Sequence, residues 1–149
     1  SARDVLVRGA QSSVICSTFN FQRSSALWDA LAAASARTGV NVKIYIDTVA
    51  ADENPASWKP TTLEIAAEFP GALVYRTKRI EMAKPLVRNH SKFIAVDHRI
   101  ILVTSANFSA SAEKANVELG LKVDDPPLVR SIERQMSEFE GLLYERVEP

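Results

Sequence analysis

The stretch NHSKFIAVDHRIILVTS, Asn89 to Ser105, decides how this chain folds. It holds two strands, SKFIAVD and RIILVTS, separated only by a turn at Asp97-His98, and two strands joined so tightly must run antiparallel. An antiparallel hairpin late in a chain whose first half reads differently points to a mixed sheet.

That first half alternates strands with helices. SSVICSTF reads as a buried strand, and SSALWDALAAASART as a helix with Leu27, Trp28 and Leu31 on one face, capped by Ser24 or Ser25 and stopped by Gly39. NVKIYID sets Val42, Ile44 and Ile46 against Lys43, Tyr45 and Asp47, the pattern of a strand with one buried face. ADENPASWKP is a loop, TTLEIAAEF a short helix after Pro60, and GALVYRT a further strand. KRIEMAKPLVRN, without a clean period, reads as an ordered loop leading to the hairpin.

Beyond the hairpin, ANFSASAEKAN is a polar loop, and VELGLKV a strand directing Val117, Leu119 and Leu121 to the core. A closing amphipathic helix begins at Asp125-Pro126-Pro127, with Val129, Ile132, Met136, Phe139 and Leu142 along one stripe. The expected fold is therefore α/β, a mixed β-sheet flanked by helices, in one domain spanning residues 1–149.

Bulk properties remove several classes of function. Eighteen basic and 18 acidic residues cancel, so no global charge announces a nucleic-acid or membrane partner. Cys16 stands alone, which excludes an internal disulfide and favours a reducing, cytoplasmic setting. No apolar run is long enough to span a bilayer, and SARDVLVRGA is too polar for a secretory signal. No His, Cys or carboxylate cluster has metal-ligand spacing, and no cofactor is expected. The chain begins at Ser1 rather than Met, which is expected of either a trimmed chain or the C-terminal part of a longer polypeptide.

Charge becomes informative locally. Between Val74 and Lys92, six bases (Arg76, Lys78, Arg79, Lys84, Arg88 and Lys92) face one acid, Glu81, a balance of plus five. The first five are the candidate substrate-binding residues, since such a segment beside a reactive site suits a polyanion. Its lack of aromatics other than Tyr75 favours backbone contacts over base reading.

The chemistry concentrates in three short motifs. His90 and Lys92 share a strand face, a nucleophile beside a cation able to hold an anion, while Asp97 points to the opposite side. Ser105 and Asn107 add a hydroxyl and an amide at the end of the next strand, both able to donate to phosphate oxygens. Glu118, in NVELG, is a carboxylate able to accept from the second ring nitrogen of His90 and fix its tautomer.

His90-x-Lys92, four residues and then Asp97, with Ser105-x-Asn107 and Asn116-x-Glu118 downstream, resembles the HKD signature of the phospholipase D superfamily. Thr104 stands where that family often has glycine. The resemblance implies metal-independent phosphodiester exchange through a phosphohistidine on His90. Lys92, Asn107 and Ser105 would steady the charged oxygens, Glu118 would orient the ring, and Asp97 would complete the motif from a supporting position. Because the chain holds one such motif, the second histidine must come from another copy, giving a homodimer with a composite site, as in the small bacterial nucleases of the superfamily. A nucleic acid, DNA or RNA, is the expected partner, with no membrane association; a phospholipase or phosphatidyltransferase, or a non-catalytic binding module, is the alternative. VTSANFS with the later NVELG further resembles the phospholipase-D-like component of bacterial DISARM anti-phage systems, which implies a larger defence complex.

Overall fold

The computed structural model describes residues 2–80 and 86–149. A first helix α1 (Ala2–Arg8) precedes β1 (Ser13–Thr18), α2 (Ala26–Ala36), β2 (Asn41–Ile46), α3 (Thr48–Asp52), α4 (Thr62–Glu68) and β3 (Ala72–Thr77). The second half runs β4 (Phe93–Val96), β5 (Ile100–Thr104), α5 (Ala110–Lys114), β6 (Gly120–Asp124), α6 (Pro126–Phe139) and β7 (Tyr144–Arg146). Among the described residues the strands form one seven-stranded sheet in the order β6-β5-β4-β1-β2-β3-β7. β1, β2 and β3 are parallel, β4, β5 and β6 add antiparallel on the β1 side, and β7 adds antiparallel to β3. The expected mixed α/β architecture is what forms.

Local chemistry explains the boundaries. Ser25, Asp47, Thr61, Ser109 and Asp125 each cap the helix that follows with a side-chain oxygen. Pro126 and Pro127 occupy the first turn of α6, where a missing N–H costs nothing. Helices α1 to α4 supply Val7, Leu27, Leu31, Ala51 and Ile65 to one sheet face, against Val14, Cys16, Val42, Ile44 and Ile94. On the other face, α6 sets Val129 and Met136 against Tyr45, Phe93, Ala95 and Ile101. No helix of the described residues is long and apolar enough to cross a membrane.

Several readings of the sequence need correction. β2 is buried on both faces, with Tyr45 and Asp47 as inaccessible as Ile44, because it lies inside the sheet with a helix layer on either side. Ala51 and Asp52 belong to α3 rather than a loop, and the polar loop after β5 contains α5. The last strand before α6 starts only at Gly120; Val117, Leu119 and Leu121 are exposed, since β6 is an edge strand whose end is covered by no helix of the described residues. Leu142 lies past the end of α6 and is exposed, leaving the helix stripe at Val129, Ile132, Met136 and Phe139. α1 and β7 carried too little periodicity to be read in advance.

The β4–β5 turn is built from two left-handed residues, Asp97 (φ 55°) and His98 (φ 57°), the geometry of a tight hairpin turn otherwise favouring Asn-Gly. Two contacts hold it. The Asp97 carboxylate accepts from the backbone N–H groups of Gln11, Ser12 and Ser13 and from the Ser12 hydroxyl, and His98 Nδ1 lies 2.8 Å from Glu133 of α6. Partial burial pushes the Asp97 carboxyl up, but the Ser12, Ser13 and Gln11 amides together outweigh it and hold the group below its ordinary value. A depressed folded-state value contributes stability that is present above the unfolded pKa and lost as pH falls. Asp97→Asn is therefore expected to lower stability by about 2 kcal/mol at neutral pH, with the gap closing below about pH 4. Urea denaturation of both proteins from about pH 2 to about pH 7, which spans the carboxyl titration, checks it, and a gap independent of pH would contradict the clamp.

Candidate active site

The antiparallel register brings four chain segments to one end of the sheet. Ser17 of β1 is paired with Phe93 of β4, and Phe93 with Val103 of β5, so the end of β1, the approach to β4 and the end of β5 lie side by side. Thr104 pairs with Gly120, which adds the approach to β6. His90 and Lys92 come from the second of these segments, Ser105 and Asn107 from the third, and Glu118 from the fourth. The hairpin thus brings the three sequence motifs to one end of the sheet, although Ser105, Asn107 and Glu118 are not among the residues lining the cavity that holds His90.

His90 is exposed, and its ring stacks on Phe19, centroids 4.4 Å apart. Lys92 is half-buried, donates from Nζ to the His90 carbonyl at 3.2 Å, and is held by the Thr104 amide bonding its own carbonyl at 3.0 Å. The cation therefore stays beside the imidazole's own residue. Asn107 accepts the Asn20 amide at Oδ1, and Asn20 follows the Phe19 that carries His90. Arg3, buried under this loop, donates to the Asn107 carbonyl at 3.1 Å. Thr104 uses its hydroxyl to accept the Ala106 amide, which tightens the bend toward Asn107.

Glu118 takes a different partner from the one its motif suggests. Its carboxylate accepts from the Ser105 hydroxyl, which in turn accepts the Leu119 amide. Ser105 and Glu118 thus tie the ends of β5 and β6 together beside the site. Asp97 lies at the far end of β4 from His90, in the clamp described above, and takes no position among the other motif residues.

The basic segment is dispersed by ion pairs. Arg76 lies against Asp52 and Glu145, Arg79 against Glu53, and Lys78 donates to the Gly141 carbonyl. These three line a cleft with Asp52 and Glu145, distinct from the cavity that holds His90. Arg88 lines the His90 cavity, but its guanidinium also binds the buried Asp47 carboxylate at 3.1 Å. Lys84 lies outside the described residues.

Sequence reasoning missed the support beneath His90. Asp47 accepts the Asn89 amide at 2.6 Å as well as Arg88, while capping α3. The Asn89 side chain donates to Ser17 and the Thr18 carbonyl, and accepts from Ser91 and Tyr144. Burial, then the Asp47 charge, pushes the Tyr144 phenol up to about 12. This buried network fixes the residues on both sides of His90. The available signal was Asp47 itself, a carboxylate closing an apolar strand.

The site opens onto a cavity of about 620 Å³. His90, Lys92 and Arg88 line it on the sheet side, and Ile132, Met136 and Phe139 of α6 form an apolar wall.

A family model described as cardiolipin synthase, PLD-like domain, matches residues 5–140. The chain belongs to the PLD-like family. Among solved structures, the PLD-like domain is similar to NucT from Helicobacter pylori, with a TM-score of 0.77 at 19% identity over 95% of this chain and 87% of that one. Nuc from Salmonella typhimurium, a phospholipase D family member, gives 0.74 at 22% identity over 100% and 92%. Phosphatidylserine synthase from Haemophilus influenzae gives 0.68 at 18% identity, over 97% of this chain and 36% of that one. At these identities the likeness is one of fold. No curated protein matches the chain.

Proposed function

We propose that this PLD-like domain is a metal-independent phosphodiesterase, acting on DNA or RNA through a phosphohistidine in a site shared by two copies. The observation that carries this reading is the pairing of an exposed His90 with Lys92, beside the Asn107 loop, at the mouth of an open cavity. In the first step a His90 ring nitrogen attacks phosphorus, the P–O bond to the leaving group breaks, and the partner's histidine protonates the departing oxygen. In the second step that same partner histidine takes a proton from water, whose oxygen displaces His90 from phosphorus. Lys92 supplies positive charge to the equatorial oxygens, and the Asn107 amide, its oxygen already bonded to Asn20, offers its N–H₂ end.

Arg88 at the cavity and the cleft holding Arg76, Lys78 and Arg79 support a polyanionic substrate, although their ion pairs reduce the net field. One observation favours a second reading, a phospholipid phosphodiester: the α6 wall of Ile132, Met136 and Phe139 suits an acyl chain.

The test incubates the protein with single-stranded DNA, duplex DNA, RNA and phosphatidylcholine vesicles, each with and without excess EDTA. Cleavage of nucleic acid, unchanged by chelator, is expected, because Lys92 takes the part a cation plays elsewhere. Release of headgroup alone would transfer the assignment to lipid, and strict dependence on added magnesium would end the phosphohistidine reading.

A further inference from the structure

Trp58 takes little part in the packing of the fold. It is 64% exposed in the turn between α3 and α4, whereas the chain's other tryptophan, Trp28, is buried against Phe21 and Phe69. The Trp58 indole instead lines a cleft of about 330 Å³, together with Phe19, Asn20, Val49, Glu53 and Lys59. Phe19 connects this cleft to the reactive residue, because the same ring stacks on His90 with centroids 4.4 Å apart and carries the Arg88 guanidinium 5.3 Å from its centre. One aromatic ring separates the imidazole from the cleft.

Charge around the cleft favours an anion. The Glu53 carboxylate is paired with Arg79 at 2.9 Å, and Lys59 donates from Nζ to the Glu53 carbonyl at 2.7 Å, so the Lys59 ammonium is the uncancelled charge among the lining residues. Arg79 also lines the cleft holding Arg76 and Lys78, and the Glu53–Arg79 pair thereby joins the two.

We propose that the Trp58 cleft holds the base of a nucleotide adjoining the scissile phosphate, with Trp58 as the stacking platform and Lys59 near a neighbouring phosphate. The inference rests on the nucleic-acid reading above and adds how the strand is gripped. A flat aromatic face beside a fixed cation suits a nucleobase on its phosphodiester backbone, and stacking accepts any base because every base has a π-face. The grip therefore reads no sequence. A base lying on the indole has left any duplex stack, so the strand is unpaired at that nucleotide. A lipid headgroup's quaternary ammonium would also favour an aromatic face, but Lys59, and Arg88 over Phe19, oppose a cation there.

The test uses a short single-stranded oligonucleotide in which one ordinary phosphodiester lies among methylphosphonate linkages, made either complete or lacking the base on one side of that phosphate or the other. Trp58→Ala is expected to lower kcat/KM on the complete strand by on the order of tenfold to a hundredfold, the range for one stacked base. Removing the base that occupies the cleft should cost the unaltered protein a similar factor, and the two losses should not add, since each removes the same contact. Trp58→Phe, which keeps a smaller ring, should recover part of the rate. Binding is read separately in the His90→Asn protein: the complete strand should quench the fluorescence of Trp58, Trp28 being buried, and the strand lacking that base should not. Additive losses, an unchanged rate in Trp58→Ala, or no base-dependent quenching would each overturn the proposal. Base-dependent quenching in a protein that cleaves no phosphodiester would leave the cleft standing and remove the catalytic reading alone.

Discussion

His90→Asn is expected to lower turnover at least about 10⁴-fold, the scale seen when a covalent nucleophile is removed. The fold should survive. His90 is exposed and contributes little beyond its stack on Phe19, so the urea midpoint should move by less than about 1 kcal/mol in equivalent stability. Mixed dimers of parent and His90→Asn chains give the sharper result. If one ring attacks phosphorus and its mate handles the proton, a dimer with a single imidazole is inactive, and the mixture loses activity in proportion to the mixed species. Heterodimers working at half the parent rate would mean that each chain owns a complete site.

Lys92→Ala should reduce kcat/KM by on the order of a hundredfold to a thousandfold, the range for losing one preorganised donor to a developing anion. The ammonium is already held against the His90 carbonyl, so its place beside His90 is set without a substrate. Lys92→Arg keeps the charge but replaces a compact head with a planar fork, and should recover only part of the loss. A deficit smaller than about tenfold for the alanine variant would show that the equatorial charge is borne elsewhere, and Arg88 would be the next residue to remove.

His90 and Lys92 could be paired from motif spacing, a local property, but not from strand periodicity: β4 starts only at Phe93, so both lie on its approach rather than on a strand face. The hairpin at Asp97-His98 fixes the β4–β5 register, and that register carries Thr104 to the side of Lys92. What remained hidden depended on partners far away in the chain. Asp47 looked like the polar side of a half-buried strand, and only its meeting with Arg88 and Asn89 reveals a buried anchor. The basic segment misled for the same reason: Arg76, Arg79 and Arg88 are counted as free charges in a sequence, whereas folding sets Asp52, Glu53 and Asp47 against them. Val117, Leu119 and Leu121 alternate as a core-facing strand should, but alternation states which face a side chain shares and says nothing about whether anything covers that face.

The position of β1 in the middle of the sheet governs the order in which the chain acquires structure. Its parallel neighbour β2 follows within one helix, but its other neighbour is β4, and the clamp on that side joins residues 86 apart in sequence. During synthesis the β1–α2–β2–β3 half is complete while one edge of β1 still has open amides and carbonyls. At 5–20 residues per second, the roughly 80 residues needed to deliver β4 take about 4–16 s. Contacts of such separation also make refolding slow relative to helical proteins of this size. The Val14–Cys16 edge is thus the segment most open to wrong pairing on the ribosome, and docking of the Asp97 turn onto Gln11–Ser13 is the event that closes it.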